Sequence, residues 1–303
     1  MSDPILSVRD VSKVIGKRTI VEDLSFDVCP REVFGFLGPN GAGKTTTIRM
    51  LVGLIRPTSG RITIGGHDIQ REFEAAIRSI GCIVETPDLY RFMSGRENLE
   101  HFARMLGPID DEEIERLAEL VHLDHRLNDK VGTYSLGMRQ RLGIAIALLG
   151  SPRLLILDEP AHGLDPAGMR EMRSLIRSLV DEQNVAIFIS SHLLAEVEQV
   201  CDRVAIIHRG KLMKIGTVEE LVGSRQAMEI RVDDPYRATE LIRALGVEPR
   251  RMDHSVLVPA DPDDGARIVE ALVRGDVEVF SATPRLPTLE ELFMEATSGE
   301  TVD

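Results

Sequence analysis

Val33-Phe34-Gly35-Phe36-Leu37-Gly38-Pro39-Asn40-Gly41-Ala42-Gly43-Lys44-Thr45-Thr46 runs from an apolar segment into a glycine-rich one, and Thr47-Ile48-Arg49-Met50-Leu51 continues it with a helix-like pattern. Residues 38–45 fit G-x-x-x-x-G-K-[ST]. Strand, glycine loop and helix in succession is the setting in which that spacing has a mechanism. Glycine lets the backbone curl until successive N–H groups face one polyphosphate. The first helical turn adds donors without intrahelical partners and the positive end of the helix dipole. Gly38, Pro39, Asn40, Gly41, Ala42, Gly43, Lys44, Thr45 and Thr46 are therefore the expected phosphate-binding set. Lys44 can reach the β- and γ-phosphates, and the Thr45 hydroxyl can hold Mg2+.

A second element works with the first. Leu154-Leu155-Ile156-Leu157-Asp158-Glu159 reads as an apolar strand delivering two acids at its carboxyl end, the end at which parallel α/β sheets bind ligands. Asp158 is the expected acidic partner of Mg2+, directly or through water. Glu159 is placed to act as general base on an attacking water, a role that contributes ~10²–10⁴ in rate. Ser190-Ser191-His192 follows the next apolar run, Ala186-Ile187-Phe188-Ile189. That strand end should lie beside the nucleotide, and His192 is expected to donate a hydrogen bond to the γ-phosphate.

The helical stretch Met169–Val180 separates the two strands, which predicts a parallel crossover and an α/β sheet. Ahead of them, Ile5–Val8 and Ile20–Val28 read as short strands, and Arg61–Ile64 as a strand after the turn Pro57-Thr58-Ser59-Gly60. From Glu97 to Leu149 apolar residues recur three and four apart, the pattern of helix. The character changes near Gly223-Ser224. Beyond it the order is strand 227–232, helix 237–245, strand 256–258, helix 265–274 and strand 277–281. A last helix is expected after Pro287, with Thr288 as N-cap. This predicts an ATPase-type domain over 1–222, with an inserted helical subdomain at about 86–150, and a small α+β domain of ferredoxin-like type over 223–303.

Composition narrows the function. The net charge of −13 and the absence of Trp argue against direct binding of nucleic acid, which needs basic patches or aromatic platforms. Residues 226–303 hold 17 acidic and 8 basic residues, so most of the acidity is in the tail, where a solvated surface explains it. No apolar run approaches the ~18–20 residues that span a bilayer. The start, Met1-Ser2-Asp3-Pro4, shows no signal-peptide pattern. At a membrane, another chain would supply the span. Cys29, Cys82 and Cys201 are far apart and lie mostly in apolar runs, so reduced, buried thiols are expected.

With these motifs in this order, residues 5–222 resemble the ATP-binding subunit of ABC transporters. Tyr134-Ser135-Leu136-Gly137-Met138-Arg139-Gln140 is similar to that family's signature segment, Leu-Ser-Gly-Gly-Gln, in a diverged form that keeps Ser135 and Gly137. The resemblance implies that Ser135 and Gly137 cap the γ-phosphate held by a second copy. It implies too that Asp165, in Gly163-Leu164-Asp165, links the two sites. The interval of about 90 residues between phosphate loop and signature leaves no room for the coiled coils of repair and chromosome ATPases. A single phosphate loop argues against the tandem translation-factor type.

Three positions depart from the family pattern. Ile15 stands where an aromatic usually stacks on adenine, so weaker adenine binding and a looser preference for ATP over GTP are expected. Glu85 stands where a glutamine usually contacts Mg2+, and a carboxylate can take that role. Ala161-His162 replaces the usual Thr-Asn, and the sequence gives His162 no role. The Glu85 variant, the diverged signature and the acidic tail look most like drug- and peptide-antibiotic-exporter ATPases of the bacitracin and daunorubicin type. That resemblance implies ATP and Mg2+ as cofactors and a homodimer on ATP binding. It also implies a separate multi-span membrane permease as partner and a cytoplasmic location, peripheral on the inner face of the cell membrane. Tyr90 and Phe92, in Asp88–Met93, are read either as permease-docking anchors or as core of the helical subdomain. The competing reading is a soluble ABC-type ATPase that regulates a protein or ribosome partner. A third, a scaffold that scarcely hydrolyses ATP, is opposed by the intact Lys44, Asp158, Glu159 and His192.

Overall fold

A computed structural model describes residues 3–107, 110–223, 227–260, 262–285 and 288–298. Ser224 and Pro287, used above to mark the domain change and the last helix, lie outside the described residues. The chain forms two compact units, 1–216 and 217–303, dividing a few residues before the change of character at 222–223.

The first unit opens with the hairpin of β1 (Leu6–Ile15) and β2 (Arg18–Val28), then β3 (Val33–Leu37), α1 (Lys44–Leu51), β4 (Ser59–Ile64), β5 (His67–Asp68), α2 (Phe73–Ile77) and β6 (Ile80–Ile83). The helical stretch comprises α3 (Gly95–Ala103), α4 (Asp111–Leu120) and α5 (Leu136–Leu148). It is followed by β7 (Leu154–Asp158), α6 (Pro166–Gln183), β8 (Ala186–Ser191), α7 (Leu194–Glu198), β9 (Arg203–His208) and β10 (Lys211–Thr217). One sheet runs β2-β1-β4-β5 and is antiparallel. The other runs β10-β9-β3-β8-β7-β6, and its strands from β9 to β6 pair in parallel. β3, β7 and β8 are buried at every position, which is why they are continuous apolar runs. Phe26 of the antiparallel sheet stacks on Phe34 and Phe188 of the parallel sheet, at 5.4 and 6.0 Å between ring centroids, so the core lies between the two sheets.

β1 and β2 are longer than the short strands read from the sequence. Register shifts between Val8 and Val11 and around Lys13 break the apolar alternation, and Asp10 and Asp23 take left-handed φ values of 49° and 50°. Bulges of this kind hide a strand from a period-two reading. The helical stretch starts at a capping box: the Ser94 hydroxyl accepts from the Glu97 N–H (3.1 Å), and the Glu97 carboxylate accepts from the Ser94 N–H (2.6 Å). α5 lies close against β6 because Gly81 has no side chain; a Cβ there would sit 2.0 Å from the Ala147 carbonyl oxygen.

The second unit contains α8 (Val218–Gly223), β11 (Ala227–Val232), α9 (Pro235–Ala244), β12 (Arg250–Arg251), β13 (Ser255–Pro259), α10 (Pro262–Arg274), β14 (Val279–Arg285) and α11 (Leu289–Ser298). Its sheet is antiparallel in the order β12-β13-β11-β14. The two central strands come from the two halves of a split β-α-β pattern, the ferredoxin-like arrangement. α9 and α10 bury Ala238, Ile242, Ile268 and Leu272 in one cluster with Met228, Ile230, Val256 and Val258. Thr288 caps α11, accepting from the Glu291 N–H at 3.3 Å.

Candidate active site

The order of strands sets the site. The glycine loop leaves β3, the two acids end β7, and β8 lies between them. Neighbouring strands are ~4.8 Å apart, so β3 and β7 stand about 10 Å from one another and only long side chains bridge the gap. Lys44 does so. Its side chain is 6% exposed, and its ammonium donates to the Gly38 carbonyl at 2.7 Å and pairs with Glu159 Oε1 at 3.2 Å. Gly43 precedes α1 at φ 107°, a conformation open to glycine, with the space for a Cβ already 3.1 Å from the Ile20 carbonyl oxygen. α1 therefore begins hard against β2, with its free N–H groups at the loop.

Asn40, Gly41, Lys44, Thr45, Thr46 and Glu159 line a cleft of about 660 Å3. Asp158 is 3% exposed, and its Oδ1 accepts from the Ser190 hydroxyl. The same Ser190 oxygen accepts from the Glu159 N–H at 3.1 Å, so one serine fixes both acids. Glu159 sits at φ 52°, a left-handed value that is costly for a side chain with a Cβ and is held by its surroundings. Its Oε2 accepts from His192 Nδ1 at 2.7 Å. With Nδ1–H committed to the carboxylate, the imidazole can donate from Nε2 only as imidazolium. Both Glu159 oxygens are engaged here; phosphate oxygens that drew the Lys44 ammonium to themselves would free Oε1 to orient a water and take its proton.

Among the described residues no three His, Cys, Asp or Glu side chains form a metal-binding group. Mg2+ does not need one: it takes one or two carboxylates together with phosphate oxygens and water. The buried Asp158 carboxylate and the half-buried Thr45 hydroxyl are hard oxygen donors that fit this. Glu85 is placed elsewhere. Its carboxylate is 61% exposed and meets Arg49 Nη2 at 2.6 Å, an exposed pair of the sort that contributes at most about 1 kcal/mol.

Ser135, Gly137 and Asp165 are not brought to this cleft. Ser135 caps α5 by accepting from the Met138 N–H at 3.2 Å, and Asp165 caps α6 by accepting from the Gly168 N–H at 2.9 Å. Both are exposed. The two segments touch one another, since a Cβ on Gly163 would meet Leu136 at 3.1 Å and one on Gly137 would meet Leu164 at 3.7 Å.

Several placements were not readable beforehand. Ser190 lay in the serine pair before His192, but a strand-end serine carries no signal until the sheet sets it between two acids. Arg18 and Arg209 also line the cleft. His162 is exposed, with its ring 5.5 Å from that of His192. Phe92 is 70% exposed, which overturns the reading of that side chain as core; Tyr90, 39% exposed, packs edge-on against His101. The cysteine expectation is also corrected. Only Cys201 is buried, and burial pushes its thiol up; Cys29 is half-buried and Cys82 exposed on the edge strand β6.

Comparison with known proteins agrees with this geometry. Residues 21–162 match the family model described as ABC transporter. The chain is 45% identical to the uncharacterized ABC transporter ATP-binding protein YhcH of Bacillus subtilis (strain 168), over 98% of this chain and 97% of that one. It is 41% identical to the bacitracin transport ATP-binding protein BcrA of Bacillus licheniformis, over 98% and 99%. A solved structure titled as the ATP binding subunit of an ABC transporter superposes with a TM-score of 0.64 at 33% identity, covering 72% of this chain and 91% of that one. A glycine loop and a carboxylate set two strands apart, in a chain alike to such proteins from end to end, make this an ATP-hydrolysing member of the ABC transporter ATP-binding subunits.

Proposed function

We propose that the chain is the motor of an exporter, driving a drug, a peptide antibiotic or a lipid-like compound through a separate multi-span permease from the cytoplasmic face of the cell membrane. The likeness to the bacitracin transport protein supports the class of cargo. No helix among the described residues is long and apolar enough to cross a membrane, so the channel would be another chain's. Tyr90 and Phe92, partly and largely exposed on the helical subdomain, are the docking anchors we assign to it.

The observation that carries the reading is the separation of the phosphate cap from the cleft. Ser135 and Gly137 begin α5 on an exposed surface, while the cleft is lined from the glycine-loop side. Two copies placed head to tail would complete two sites, each with one copy's loop and the other's cap. Asp165, beside that cap, would join the contact. In each site Lys44 holds the phosphates, Glu159 orients the attacking water and takes its proton, and His192 donates to the γ-phosphate. Mg2+, held by Thr45 and Asp158, would neutralise charge on the phosphate oxygens. ATP then favours the closed pair and ADP the open one, which is the population shift that moves a permease.

Light scattering tests the pair. The Glu159→Gln chain should double in mass with ATP, and adding Ser135→Arg should prevent the doubling without loss of ATP binding. A Ser135→Arg chain that still pairs would refute the cap. Isolation of the tagged protein from native membranes tests the partner: a stoichiometric multi-span protein is the expected companion. A soluble partner alone would replace the exporter with an ATPase acting on a protein or ribosome.

A further inference from the structure

The β1–β2 hairpin turns on Gly16 and Lys17, and Ile15 and Arg18 face each other directly across it. Residues paired in this way project to the same face, with Cβ atoms ~4.5–5.5 Å apart. Ile15, where the family resemblance puts the base-stacking ring, is 53% exposed and does not line the cleft. Its cross-strand partner Arg18 does, together with Thr19 and Ile20, at the start of the strand against which the glycine loop is packed. No aromatic side chain is among the lining residues. The Arg18 guanidinium takes part in no hydrogen bond or ion pair among the described residues.

A guanidinium is a planar, delocalised cation that stacks on aromatic faces, and arginine planes serve as platforms for nucleobases elsewhere in protein chemistry. We propose that Arg18 is the base platform of this site, its guanidinium lying on the face of the purine in place of a ring at Ile15. The inference rests on the reading of the cleft as the nucleotide site. It adds a specificity. A stacked guanidinium reads the face of a base and not its edge, so ATP and GTP bind alike, and the smaller face of a pyrimidine triphosphate is held less well.

Titration of the full chain with ATP, GTP and inorganic tripolyphosphate, each with Mg2+, tests this. Arg18→Ala should weaken ATP and GTP by about 3- to 30-fold, the range of a cation–π contact, and leave tripolyphosphate unchanged. Ile15→Tyr should restore ATP affinity in the Arg18→Ala chain and add less to the chain that keeps Arg18. Equal losses for ATP and tripolyphosphate would overturn the proposal, since Arg18 would then be only a charge for phosphate. Unchanged ATP affinity in a folded Arg18→Ala chain would overturn it as well. A parent chain that bound neither ATP nor tripolyphosphate would instead refute the cleft reading itself. Both residues are exposed on a hairpin, so an unaltered melting temperature should accompany each variant.

Discussion

At the scale of single residues, the chemistry gathers on Glu159, which touches Lys44 on one oxygen and His192 on the other. Replacing it with glutamine keeps the shape and removes the base. Phosphate release by Glu159→Gln should fall by ~10²–10⁴ while ATP affinity is retained; both are read in one series of hydrolysis and binding assays. Lys44, Asp158 and Glu159 could be located from the sequence because each stands at a fixed offset from an apolar strand. Ser190 and Arg18 could not be. They reach the site only because β8 lies between β3 and β7 and because the β1–β2 ladder is in register at Ile15 and Arg18. Neighbourhoods created by sheet order leave no local trace in a chain.

At the scale of elements, the buried strands and the amphipathic helices were legible and the irregular ones were not. β7 and β8 are unbroken apolar runs, and α6 repeats its apolar residues with the helical period. β1 and β2 bury one face only and are bulged, so the alternation that would identify them is interrupted. The junction of α5 with β6 was likewise invisible, since a glycine reads as a turn until a helix is seen lying on it. Gly81→Ala would drive a methyl group into the Ala147 carbonyl and the Leu155 side chain. We expect a loss of about 1–3 kcal/mol in stability, the range of an overpacked core, read as a lower urea midpoint with the slope unchanged.

At the scale of the molecule, every cleft residue lies in the unit 1–216, and the acidity lies mostly in the other. An N-terminal fragment ending at Gly216 should bind ATP as the whole chain does. The fragment should also leave an anion exchanger at lower salt than its parent. Weakened binding by the fragment would mean that the second unit supports the site. The Lys44–Glu159 ion pair has its own bearing on how such experiments are interpreted. A lysine-to-alanine change would ordinarily serve as a binding-dead control, to be set beside a carboxylate change that is turnover-dead. Here the lysine lesion also strips a partly buried carboxylate of one of its two partners, so it disturbs turnover as well as grip, and the effects of the two changes will not add. The glutamine change at Glu159, which keeps the shape of the side chain, is therefore the one of the two that separates turnover from grip.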